Sequence, residues 1–367
     1  MEKEDSGRPA FDFGFPEWYG YPSSAGGRFR RPRTLRKSRD MNAFWRWWQQ
    51  LPHHIDPVLF EIGGFRIHYY GLMYLVGFGI TYALVLWRIR TEDRFAITPI
   101  QVESLMTAMI LGVLLGGRLG YVLFYNFAYY LRHPLEIVLP FEFSDGIRFT
   151  GISGMSYHGG LLGVIAACVW FSRRSGIGFR QIVDLFGPVV PLGYTFGRIG
   201  NFINGELWGR PTDAAIGMDF PAAPGDAFRH PSQLYEAFFE GIFLFGVLWA
   251  LRRRVRTPGA MLGLYLIGYG TVRFFIEYYR EPDAHLGFVF LHLTMGQLLC
   301  AAMVLGGIAI YALYRRMPPR AAEANSEAPP DRKKAAESPE SDSKPRSKSG
   351  RKSGRKSARR IPRGNAR

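Results

Sequence analysis

Cysteine is nearly absent from this sequence. There are two in 367 residues, Cys168 and Cys300, each inside an apolar run. They form no CxxC pair and no metal-ligand spacing, so neither a disulfide framework nor a zinc site is written here, and both read as small buried hydrophobes. A Gly-x-Ser-x-Gly elbow, a His-Glu-x-x-His pair and a Walker loop are also missing, and with them the chemistries those motifs carry. No metal and no cofactor is expected. No cleavable leader is expected in residues 1–40, which are rich in Gly, Pro and Arg and show no apolar core. The run from Met41 through Trp45, Trp47 and Trp48 reads like a second beginning. Residues 1–40 are therefore expected to be a disordered extension or a misassigned start.

Acidic residues are outnumbered, 30 Asp/Glu against 46 Lys/Arg, for a formal charge of +16. The excess lies at the ends. Residues 318–367 hold 15 basic and 6 acidic side chains, and residues 1–40 hold 9 and 6, which leaves +4 for the body. The mean hydropathy of −0.04 averages polar ends with an apolar middle. A basic tail suits nucleic acid or anionic lipid; beside a membrane body the expected partner is anionic cytoplasmic lipid, and no nucleic acid. Its repeated Lys-Ser units cannot bury enough apolar area to fold, so 318–367 is expected to be a disordered basic cytoplasmic tail.

What the middle has in quantity is apolar length. About 20 apolar residues in a helix cross a bilayer, and candidates fall near 69–88, 101–126, 157–172, 182–203, 233–251, 260–279 and 295–315. The third is short, and Pro188 and Pro191 interrupt the fourth. The expectation is an all-α integral membrane protein whose residues 41–317 form one seven-helix catalytic domain. Arginines follow the first, third, fifth and seventh segments (Arg88 and Arg90; Arg173 and Arg174; Arg252 to Arg254; Arg315 and Arg316). The positive-inside rule then sets the N-terminus out and the C-terminus in. The basic cluster Arg28–Arg39 opposes this unless Met41 is the start. The three tryptophans suit an interfacial segment on the outer surface.

Ionisable residues at membrane depth are costly and mark function. Tyr70 and His68 open the first span, where an aromatic belt is the plainer reading. Arg118 sits in the second among Gly116, Gly117 and Gly120, either snorkelling to an interface or meeting substrate. His158 precedes two glycines at a helix start, where backbone N–H groups meet anions and a neutral imidazole can relay a proton. Arg198, Asn201, Asn204 and Glu206 follow in one run. Close packing would account for Gly193, Gly197 and Gly200 there, but not for the polar four. Arg273 and Glu277 stand i, i+4 in the sixth span, with Tyr269 before them, and Arg229–Glu236 adds polar groups ahead of the fifth. Together these look built to hold a phosphate headgroup, since an arginine fork matches a phosphodiester.

At this point the chain resembles the prolipoprotein diacylglyceryl transferase family, over residues 50–316. The resemblance rests on the Tyr-Gly-Leu-Met-Tyr start, the His-Gly-Gly-Leu-Leu-Gly box, the run Gly197–Arg210, the Arg-His-Pro-Ser-Gln-Leu-Tyr-Glu stretch and the Arg-x-x-x-Glu-x-x-Arg-x-Pro-Asp stretch, in family order. Pro140–Gly154 looks like an insertion, and both ends lie outside the resemblance. It implies seven helices in the bacterial inner membrane, with phosphatidylglycerol and the lipobox cysteine of a prolipoprotein signal peptide as partners. The products are then a thioether and glycerol 1-phosphate, the first step of lipoprotein maturation. It implies Arg198 and Arg273 as phosphate-binding arginines, with Asn201, Glu206, Tyr269 and Glu277 around the headgroup; Arg118, on the substrate reading of its own segment, is expected there too. His158 and Tyr70 join the two arginines as catalytic groups. His158 is then a base for the thiol or an orienting group, and Glu206 and Glu277 hold the arginines. The alternative from another class is a lipid transporter or flippase, which also keeps charges in the membrane. Against it stand the lack of an internal repeat and the gathering of charge toward the outer ends of the spans.

Overall fold

The computed structural model describes residues 42–317 apart from 63–64, 138–140, 143–147, 150–153, 282–287 and 291–292. The expected extension at 1–40, the tail from 318 and most of the insertion-like stretch lie outside the described residues.

Helices occupy all seven apolar segments. They are α2 (Tyr69–Thr91), α3 (Pro99–Phe124), α5 (Tyr157–Ser175), α6 and α7 (Phe179–Phe186 and Val190–Ile203), α8 (Ser232–Leu251), α9 (Ala260–Ile276) and α10 (Met295–Arg316). Two short α-helices, α1 (Ala43–Gln50) and α4 (Phe127–Arg132), and two 3-10 turns, Leu51–His54 and Pro134–Ile137, complete the described helices. By length and composition, α2, α3, α8 and α10 qualify as membrane spans, and α9 is apolar but shorter. The fourth segment is two helices, because Pro188 and Pro191 cannot continue the ladder from α6. A hairpin of β1 (Val58–Ile62) and β2 (Phe65–His68) leads directly into α2.

Glycine sets how closely these helices meet. α3 and α5 pack backbone to backbone: a Cβ at Gly159 would overlap the Gly116 carbonyl, and one at Gly163 would overlap that of Gly112. The Ser156 hydroxyl caps α5 by accepting from the Gly159 N–H at 3.2 Å. In the same way Gly77 of α2 lies against the Gly193 carbonyl of α7, and Gly263 of α9 against the Gly307 carbonyl of α10. The middle of α8, Glu236–Phe243, is wound as a π-helix. Gly241 there lies against Thr195 of α7, and the Thr195 hydroxyl donates to the Ala237 carbonyl at 3.2 Å. Local π winding of this kind recurs at functional sites.

Opposite ends of the bundle are fastened differently. At one end Glu92 receives Arg88 at 2.8 Å, Arg94 at 2.9 Å and Arg252 at 3.3 Å, and Arg88 is fully buried. Burial pushes the Glu92 carboxyl up, but Arg88 and Arg94 outweigh it and hold it below the usual range. At the other end α1 lies against the 205–231 connection: Trp48 Nε1 donates to the Ile216 carbonyl at 2.9 Å, and the Asp219 N–H donates to the Gln49 carbonyl at 2.8 Å. Trp48 joins Phe202, Met218, Phe220 and Trp208 in a small core there. The tryptophan segment is thus docked on the protein by one face.

Candidate active site

Three stretches far apart in sequence are laced together where α7 ends. The Gly209 N–H donates to the His230 carbonyl at 2.8 Å, the His230 N–H to the Arg210 carbonyl at 3.0 Å, and the Arg210 N–H to the Tyr279 carbonyl at 2.9 Å. Arg210 Nε also donates to the Arg280 carbonyl at 2.6 Å. Just ahead of these crossings the chain turns through Gly205 (φ 65°) and Leu207 (φ 58°). A leucine in the left-handed region costs about 1–3 kcal/mol and needs its surroundings to impose it. Ser232 and Gln233 supply that constraint. Both are fully buried; the Ser232 hydroxyl donates to the Leu207 carbonyl at 2.9 Å and Gln233 Nε2 to the Glu206 carbonyl at 2.5 Å. The Pro-Ser-Gln stretch therefore shapes the turn that carries Glu206. His230 lies in the same lacing, and burial holds its ring below the ordinary histidine value.

Above that turn the membrane-depth charges converge. Arg198 of α7 pairs with Glu236 of α8 at 2.8 Å. Its Nε also donates to the Tyr194 hydroxyl at 2.7 Å, and that hydroxyl donates to Glu240 at 2.5 Å. Arg273 of α9 faces the same two carboxylates, Glu236 at 3.2 Å and Glu240 at 3.4 Å. Arg280 reaches Glu236 at 2.5 Å. The i, i+4 partner expected from sequence, Glu277, is 3.5 Å from Arg273 and also 3.5 Å from Arg280. Three guanidiniums and three carboxylates thus fill one buried volume among α7, α8 and α9. Glu236 and Glu240 are 1% and 0% exposed, so neither charge could stand there without its partners.

The remaining expected residues fall around this cluster at different removes. Arg198 Nη1 donates to Asn201 Oδ1 at 3.2 Å, and Asn201 Nδ2 donates to Glu206 at 2.7 Å. Glu206 therefore bears on Arg198 through Asn201, with no arginine contact of its own among the described residues. Tyr70 of α2 is packed over Gly200, within reach of Asn201 and Glu206, and its hydroxyl is 3.0 Å from that of Tyr74. Tyr269 stacks edge-on to Tyr194 and lies beside Arg273 and Glu240. His158 is exposed on the first turn of α5, its described contact being the ring of Tyr157. Tyr157 in turn comes within electrostatic range of Tyr265 and Tyr269. Arg118 turns to the carbonyls of Glu136 and Ile137, stacks on Tyr130 and reaches toward the Gly154 carbonyl. It braces the stretch that leads to His158. Of the three motif glycines, Gly193 and Gly200 face α2 closely, but Gly197 has open space where a Cβ would stand.

Two groups at the centre, Tyr194 and Glu240, were not singled out from sequence, and Glu236 was noted only as the end of a polar stretch. A carboxylate about two helical turns into an apolar span was signal enough for Glu240. Nothing in the spacing of Tyr194 distinguished it from a belt tyrosine.

A family model described as prolipoprotein diacylglyceryl transferase matches residues 57–313. A Chlorobaculum tepidum protein named phosphatidylglycerol–prolipoprotein diacylglyceryl transferase is 56% identical over 268 residues, which span 73% of this chain and 92% of that one. Proteins of the same name from Aliivibrio salmonicida (50% over 267 residues, 72% and 90% of the two chains) and Bordetella parapertussis (48% over 266 residues, 72% and 98%) are similar over the same extent.

Proposed function

The chain belongs to the prolipoprotein diacylglyceryl transferase family, and we propose that the buried arginine–carboxylate cluster is where it carries out that family's reaction. The protein is a multi-pass membrane transferase that moves a diacylglyceryl group from phosphatidylglycerol to a prolipoprotein. The acceptor is the thiol of the lipobox cysteine in the signal peptide. Its sulfur bonds to the glycerol carbon that bears the phosphate, the carbon–oxygen bond breaks, and the electron pair leaves with glycerol 1-phosphate. The thiol proton passes to a base.

Charge grows on the departing phosphate, so the catalytic need is for preorganised donors in a dry site. Arg198 and Arg273 supply them; the observation that carries this reading is that both reach, from different helices, the buried Glu236, with Glu240 paired to Arg273 and linked to Arg198 through the Tyr194 hydroxyl. Asn201, relayed from Glu206, aims the Arg198 fork, and Glu277 and Tyr269 line the Arg273 side. Tyr70 closes the α2 side. His158 takes the thiol proton or orients the headgroup from the start of α5, and Arg118 steadies the stretch before it while contributing its charge to the headgroup region.

We place the active end toward the outer face of the bacterial inner membrane, with the N-terminus of a seven-span bundle out and the C-terminus in. The arginines that follow alternate apolar segments, at Arg88, Arg173, Arg252 and Arg315, support this. The basic tail lies along anionic cytoplasmic lipid. No observation favours the transporter alternative.

Mass spectrometry of a synthetic lipobox peptide incubated with the purified full chain and phosphatidylglycerol tests the reaction. A diacylglyceryl adduct on the cysteine peptide, absent from the Cys→Ser peptide, supports it. A folded chain that leaves both peptides unmodified would overturn it.

A further inference from the structure

The cluster is electrically closed. Arg198, Arg273 and Arg280 face Glu236, Glu240 and Glu277, so an arriving phosphate adds a negative charge that the protein has already balanced. The pairs are not equally tight. Arg198 and Arg280 each have a partner within 2.8 Å, whereas every carboxylate facing Arg273 stands at 3.2 to 3.5 Å among the described residues. Arg273 is thus the guanidinium most ready to change partners. Glu236 is shared with Arg198 and Arg280, so it is not set against Arg273 alone. Among the described residues Glu240 has no other arginine in salt-bridge contact, and its second oxygen accepts from Tyr194 at 2.5 Å. It is fully buried and faces Tyr194 and Arg198 from α7, Tyr269 and Arg273 from α9, and Glu236 from its own helix.

Resting on the reaction proposed above, this arrangement raises a difficulty that Glu240 answers. The substrate phosphodiester carries one negative charge, and the departing glycerol phosphate carries close to two near neutral pH. Donors that stabilise the second charge as it develops would also hold the product. We propose that Glu240 is a positioning residue that competes with phosphate for Arg273 and so expels the monoester product, at some cost in affinity for the diester substrate. Tyr194 fixes Glu240 in that role by holding the oxygen that Arg273 does not use.

The proposal predicts a sign that simple damage would not give. Glu240→Gln keeps the shape and an acceptor for Tyr194 but removes the opposing charge. Binding of glycerol 1-phosphate to the full chain in detergent, followed by calorimetry without turnover, should tighten on the order of tenfold or more, the effect of one nearby charge in a partly buried site. The turnover number should fall while the KM for phosphatidylglycerol does not rise. Glu240→Asp keeps the charge and should stay near wild-type product affinity. Adding Arg273→Ala should abolish the gain. A folded Gln variant that binds the monoester no more tightly than wild type would overturn the proposal, as would an Asp variant that behaves like Gln. Because binding is read without turnover, a chain that binds the monoester in this pattern yet transfers nothing counts against the reaction and supports the role of Glu240.

Discussion

Arg198 and Glu236 meet at 2.8 Å across two helices, although 38 positions separate them and they belong to different sequence motifs. Glu236 is 1% exposed and also receives Arg273 and Arg280. Removing one member of such a buried group leaves uncompensated charge and costs about 3–5 kcal/mol. Glu236→Ala should therefore lower the thermal unfolding midpoint of the purified protein markedly. An unchanged midpoint would show that the three arginines do not depend on Glu236.

The α3–α5 contact makes a second prediction. Gly163 has no room for a Cβ beside the Gly112 carbonyl. Gly163→Ala must part the two helices and move the first turn of α5, which carries His158. Overpacking of this kind costs about 1–3 kcal/mol, and transfer should fall with stability. Gly197→Ala, at a position open on that side, should leave the unfolding midpoint unchanged.

His158 is separated from the arginine cluster by tyrosines, so its role can be graded apart from phosphate binding. As a proton acceptor it should contribute about 10²–10⁴-fold to the rate. His158→Ala should lower the turnover number by that amount with little change in binding of glycerol 1-phosphate. A loss confined to affinity for phosphatidylglycerol would make it an orienting group.

At the opposite end, Glu92 collects three arginines. Its carboxyl is held below the usual value, so its contribution is present above about pH 4.5, the unperturbed value, and is lost as pH falls through the lower folded value. Glu92→Gln should destabilise the protein at pH 7, and the gap from wild type should narrow on acidification below pH 4.5. A gap that widens would contradict the ion-pair account.

Much of this molecule was legible before any coordinates. The helices follow apolar length, and the break at Pro188 and Pro191 was written in two prolines. Arg198, Asn201 and Glu206 were visible as polar residues that packing does not explain, and they form one hydrogen-bonded chain. Pair distances were not legible. The i, i+4 spacing of Arg273 and Glu277 suggested a closed pair, yet Arg273 is nearer to Glu236 and Glu240, because α8 brings a π-wound turn against α9 that no spacing rule anticipates. For Arg118 the sequence left two readings open, an interface or a substrate; its contacts with carbonyls of residues 136–154 depend on a return of the chain that sequence does not display. The same holds for Ser232 and Gln233, whose work is to hold two carbonyls in another motif.

The central claim is that Arg198 and Arg273 stabilise the phosphate as it leaves. Initial rates of labelled diacylglyceryl transfer to a lipobox peptide, measured for Arg198→Ala, Arg198→Lys and Arg273→Ala in folded protein, test it most directly. Loss of a preorganised donor costs about 10²–10³ in rate, and a lysine cannot reproduce the planar fork. The account predicts losses of that size in all three variants. Rates within a few-fold of wild type in folded Arg198→Ala and Arg273→Ala would contradict it.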